Sequence, residues 1–149
     1  MATDLVLAIF HHFLAFLLAS VLATEWALVR PGLGGRNLAL LGRLDAAYGG
    51  IAGTLIAIGV LRVFFGLKGW EYYVYNTMFW AKMASLAAVG MLSMGPTARI
   101  VRWRKAASDP AYVVPDAEIE TARSYIKVQI IGFALILTFA ATMARGVFY

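Results

Sequence analysis

The two histidines of this chain, His11 and His12, are adjacent and lie inside an apolar run, LVLAIFHHFLAFLLASVLATEWAL at 5–28, with no charge before Glu25. An ionisable side chain in a stretch of membrane length is costly, so it marks a functional site by default. Histidine is also the commonest metal ligand among side chains, binding through a neutral ring nitrogen. The pair therefore predicts a membrane-embedded metal or haem site, with His12 and His11 as metal ligands. Lys82 stands as the one charge in a second apolar run, YYVYNTMFWAKMASLAAVGMLSM at 72–94. A central lysine costs about 2.5–3.5 kcal/mol on insertion, so a polar or charged partner across a bundle is expected for it.

The elements that must position these residues are membrane helices. The chain has 149 residues, 62% hydrophobic and 14% charged, with mean hydropathy +0.76. That is too apolar for a polar shell to cover a soluble globule. The absence of cysteine excludes disulfides, iron–sulfur clusters and thiolate catalysis, and argues against a Cys/His zinc site. The net charge of +5 does not point to nucleic acid, because the basic residues sit in short connections between apolar runs. Four segments reach the roughly 20 residues a crossing needs, and they are expected at about 5–29, 44–65, 73–94 and 123–143. The expected fold is an all-α, four-transmembrane-helix bundle, a single integral membrane domain over 1–149. PGLGG at 31–35, GLKGW at 66–70 and GP at 95–96 punctuate the connections. The last connection, about 95–122, is expected to lie along the membrane surface, with RIVRWRK at 99–105 as an interfacial anchor.

Charge sets the expected orientation. Arg30, Arg36, Arg43, Arg99, Arg102, Arg104, Lys105, Arg123 and Lys127 fall at one end, against Arg62, Lys68 and Arg145 at the other. The basic connections should then be cytoplasmic and both termini outside, on the periplasmic side of a bacterial inner (plasma) membrane. With that topology the histidines lie about seven residues into helix one, roughly 10 Å along its axis. Lys82 lies about nine residues into helix three by the same rise per residue, so the two sites meet at one depth.

Neighbours on a helix point about 100° apart, so the two histidines face different ways. His12 belongs to a small-residue stripe, Ala8, Ala15, Ala19 and Ala23, where a helix or flat cofactor approaches closely. His12 is accordingly expected to face the interior as ligand. His11, which leads along Leu18 and Leu22 to Glu25, is then a supporting group, an alternative ligand or a subunit-interface residue. Glu25, Arg43, Asp45, Tyr48 and Gln129 gather at the basic end, where they are expected to fix helix register; a substrate clamp or proton relay is the alternative. Gly49 and Gly53 give a GxxxG spacing suited to helix contact or to a porphyrin. Arg62 is either a partner for a haem propionate or an interfacial anchor.

The segments HFLAFLLASVLATEW, GRLDAAYGG and FWAKMASLAAVGMLS carry a resemblance to an uncharacterised family of small four-helix bacterial membrane proteins, over nearly the whole chain. More distantly, the first-helix histidine and third-helix lysine resemble the four-helix membrane protoporphyrinogen IX oxidase, and the helical layout is similar to the copper-resistance D family. The resemblance to the oxidase implies haem b, with the essential histidine and lysine falling on His12 and Lys82. The expected function is haem b binding of a cytochrome b-like kind, with a redox or electron-transfer role. Cofactor contacts would come from His12, His11, Lys82 and Arg62. The sixth position would be open or filled by Lys82, by Met78, Met83 or Met143, or from a neighbouring subunit. The alternatives are a porphyrin-oxidising enzyme using Lys82 as its catalytic group, and a copper or small-solute transport protein. Expected partners are the lipid bilayer, a second or third copy in a homo-oligomer, and a membrane electron donor or acceptor.

Overall fold

In the computed structural model, which describes residues 2–146, the chain is helical throughout its long elements. These are α1 (Ala2–Leu28), α2 (Gly35–Phe65), the short α3 (Gly69–Val74), α4 (Thr77–Ala106) and α5 (Asp116–Ala144). Four of them, α1, α2, α4 and α5, are long and apolar enough to cross a membrane. Each packs on its neighbours in a ring, α1 on α2, α2 on α4, α4 on α5 and α5 on α1, with the α1–α2 and α4–α5 pairs the most extensive. Diagonal pairs make no backbone approach, so what meets in the middle does so through side chains.

The helices outrun the expected spans at the basic end. α2 starts at Gly35 rather than near 44, and α5 at Asp116 rather than near 123. α4 passes through the Gly95–Pro96 dipeptide to Ala106, so RIVRWRK continues that helix rather than forming a separate connection. Proline removes one ladder hydrogen bond, a loss that membrane helices absorb when neighbours support them. Here the support is burial: Pro96, Ile100 and Trp103 all face inwards. The Trp103 indole N–H donates to Glu118 of α5, whose carboxylate also pairs with Arg102 at 2.6 Å. At 31 and 30 residues, α2 and α4 are about 45 Å long, well beyond a hydrocarbon core of about 30 Å.

The extra length builds a small cap. The most completely buried apolar side chains, Trp103, Leu38, Leu41, Ile100, Ile119, Ile126, Val29 and Val114, cluster at that end. The two connections there are tied by a bridge between Gly34 and Val113, and by the Val114 N–H donating to the Leu33 carbonyl at 2.9 Å. Arg123 holds α5 to the end of α1, stacking on Trp26 at 3.9 Å and donating to the Trp26 and Val29 carbonyls. The start of α1 and the end of α5 therefore lie at the opposite end. There the side chains of Phe10, Phe13, Phe16, Phe64, Phe65 and Trp80 are exposed, as a lipid-facing belt should be. Asn76 starts α4 by accepting from the Met78 and Phe79 N–H groups at 2.9 and 3.3 Å. Tyr72 donates to the Met143 carbonyl, closing α3 onto α5.

Candidate functional site

The rotation of α1 decides which histidine enters the bundle. Its buried face is Leu18, Val21, Leu22 and Glu25, and His11 is on that face, half-buried. His12 is exposed on the other side, which reverses the expected facing. The alanine stripe gives α1 little to bury, whereas the leucines fill the core with α2 and α5. One sequence signal favoured this outcome: His11 and Glu25 share a face, and a helix in lipid turns its polar residues inwards.

His11 packs against α2. A Cβ at Gly59 would lie 3.4 Å from the imidazole Cε1, so the glycine gives the ring its room, and the Leu55 carbonyl lies beside it. Its Nδ1 is buried and makes no hydrogen bond with the protein. Two cations come within electrostatic reach of the ring: Lys82 from α4, across the diagonal, and Arg62 from α2. Lys82 is half-buried, and the buried Arg62 Nε also lacks a partner. Among the described residues no carboxylate stands within 4.0 Å of either cation, the ion pair of the chain being Arg102–Glu118. The structure thus brings together three of the four expected site residues, His11, Lys82 and Arg62, as a cationic group, with the Asp4 carboxylate about one turn away beside Gly66 and not within 4.0 Å of either cation.

His12 is separate in direction but close in space, its ring 6.4 Å from that of His11 and nearly perpendicular to it. Its Nδ1 lies 2.6 Å from the Ala8 carbonyl, an oxygen that can only accept, so Nδ1 carries the proton and Nε2 an outward lone pair. A ligating histidine is commonly oriented by such a bond from its other nitrogen. Among the described residues no three His, Cys, Asp or Glu side chains are grouped closely enough to hold a bare metal ion together.

The second polar layer lies at the basic end and draws on all four long helices. It contains Glu25 of α1, Asp45 and Tyr48 of α2, Thr97 of α4 and Gln129 of α5. Glu25 and Gln129 are 3% and 2% exposed. Thr97, which sequence reasoning did not single out, donates to Asp45 Oδ1 at 2.7 Å. Its signal was weak, because a threonine just after Gly95–Pro96 reads as part of a turn. An open groove of about 590 Å³ between α2 and α4 runs past Asp45, Tyr48 and Thr97. It also passes Gly49, Gly50 and Gly53, where a Cβ would meet nothing within 4 Å, so this glycine face touches no other helix of the chain.

Residues 3–148 match the model of a family described as predicted membrane protein (DUF2214). The chain belongs to that family. No curated protein and no solved structure gives a match. For this DUF2214 member the matched segment takes in all five helices, and with them both polar layers.

Proposed function

We propose that the protein is a membrane-embedded haem b-binding protein with a redox or electron-transfer role. The observation that carries this reading is the grouping of His11, with an unpartnered buried Nδ1, beside the cations Arg62 and Lys82, neither of which has a carboxylate within 4.0 Å among the described residues. These residues fit the polar parts of a haem: one imidazole for the iron and two cations for the propionate carboxylates, which charge-assisted hydrogen bonds hold well. Bound haem supplies one-electron chemistry at a potential set by its axial ligands and surroundings. What the chain contributes is binding and orientation. Gly59 lets His11 sit against α2, while Arg62 and Lys82 would hold the propionate carboxylates.

His12 is the alternative ligand in this reading: it is exposed, and with Nδ1 engaged by the Ala8 carbonyl its Nε2 would be the atom to hold the iron. The distant resemblance to the membrane protoporphyrinogen IX oxidase supports a histidine–lysine pair of this kind, though in the bundle Lys82 shares its layer with His11. The reading also places the basic end in the cytoplasm and the site in the outer half of a bacterial plasma membrane, by the distribution of Lys and Arg.

The test is the visible spectrum of the detergent-purified protein, oxidised and dithionite-reduced, with pyridine haemochrome to identify haem b. The wild type is expected to show a Soret band with reduced α and β bands. His11→Ala should lose the haem, and His12→Ala should retain most of it. The opposite pattern would move the iron to the outer face of α1. A colourless wild type from haem-supplied cells would overturn the haem reading.

A further inference from the structure

The layer at the basic end holds two carboxylates that the haem reading does not use. Glu25 is 3% exposed, and its Oε1 is buried with no hydrogen-bond partner. Asp45, on the facing helix, acts on it electrostatically, and the buried Tyr48 faces both acids. From α4, Thr97 donates its one proton to Asp45. From α5, Gln129 is 2% exposed and its Nε2 is also unpartnered, so the layer carries unspent hydrogen-bonding capacity of both kinds.

The neighbouring cations are engaged elsewhere or turned away. Arg123 is bound to Trp26 and Val29, Arg99 lies over Tyr125 and donates to the Gly95 carbonyl, and Arg102 pairs with Glu118. Arg43 and Arg104 are exposed, Arg104 running along Gly42 at the mouth of the groove. Among the described residues none of them reaches within 4.0 Å of Glu25 or Asp45. A buried carboxylate such as Glu25 beside a half-buried one such as Asp45 does not readily stay ionised together with it unless positive charge lies between them. The groove between α2 and α4 gives Asp45 an opening to the outside.

We propose that Glu25 and Asp45 form a binding site for one positive charge, a proton or a small monovalent cation, reached through the α2–α4 groove. Tyr48 and Thr97, which line the groove beside Asp45, offer neutral hydroxyl oxygens that hold such a charge without competing for it. The site stands independently of haem: it is on the same two helices as His11 and Arg62, but Glu25 lies fourteen residues along α1 from His11, about 21 Å at the helical rise.

Dicyclohexylcarbodiimide tests this on the intact protein in liposomes. The reagent adds a protonated carboxyl across its C=N bond. The acid proton goes to nitrogen, and the acyl group then migrates to give a stable N-acylurea that peptide mass mapping locates. In sodium-free buffer at neutral pH, Glu25 or Asp45 should be modified roughly tenfold or more faster than the exposed Asp116 and Glu120 in the same molecules. Slowing by alkali alone identifies the charge as a proton, and slowing by added Na⁺ at fixed pH identifies a cation. Modification of Glu25 and Asp45 no faster than of Asp116 and Glu120, or a rate that neither alkali nor Na⁺ lowers, overturns the proposal. No substitution is involved, so failure to fold does not enter.

Discussion

Lys82 and Arg62 approach His11 from α4 and α2 with no carboxylate between them. Placing like charges together in a low-dielectric interior works against folding, and removing a partnerless buried charge relieves that cost. A group of this kind is retained for what it binds, which gives Lys82→Met opposite effects on stability and binding. The haem-free variant is expected to unfold at a higher temperature than wild type. Its haem should be held about tenfold more weakly, as for the loss of one charge-assisted bond. Haem titration and thermal unfolding in the same detergent check the pair of effects. A lower unfolding temperature with unchanged haem affinity would make Lys82 a structural tie. The two histidines show why type and position read differently. Their presence in an apolar run was plain in the sequence, but the choice between them turned on α1's rotation, which Leu18, Val21 and Leu22 set through partners on other helices.

At the scale of elements, the α4–α5 seam is close and the α2–α4 seam is open. A Cβ on Gly132 would come 2.4 Å from Val89 Cγ2, a branched side chain with little freedom to turn away. Gly132→Ala is therefore expected to destabilise the protein by about 1–3 kcal/mol, as overpacking does. Gly53→Ala meets nothing within 4 Å and should leave stability nearly unchanged. Thermal unfolding of both variants in one detergent is the comparison, and equal effects would mean that the seams are alike. The GxxxG spacing was legible, but not which surface it served, because small residues suit a helix partner and a groove equally. The continuation of α4 through Pro96 was hidden for a related reason. Gly-Pro signals a stop locally, and only the burial of Ile100 and Trp103 in the core keeps the helix going.

At the scale of the molecule, firmness is uneven from end to end. The cap buries Trp103, Leu38, Leu41 and Ile100 almost completely and links its two connections, whereas the terminal end presents aromatic side chains outwards. Trp103 is 0% exposed and shares Glu118 with Arg102, so Trp103→Ala should cost about 3–5 kcal/mol. Hydrogen exchange in detergent is expected to quicken across 33–41 and 112–122 in that variant. Exchange confined to α4 would show that the cap is not one unit. Composition and order along the chain set the class: apolar runs of membrane length, a one-ended distribution of Lys and Arg, and ionisable residues inside the runs can all be read there. Two layers of polar residues were also present in it as types and depths. Tertiary structure decided helix rotation, the extension of α2, α4 and α5 into a cap, and which polar groups go without partners. Those depend on what each face meets across the bundle, and a face in lipid and a face against another helix are equally apolar when read one residue at a time.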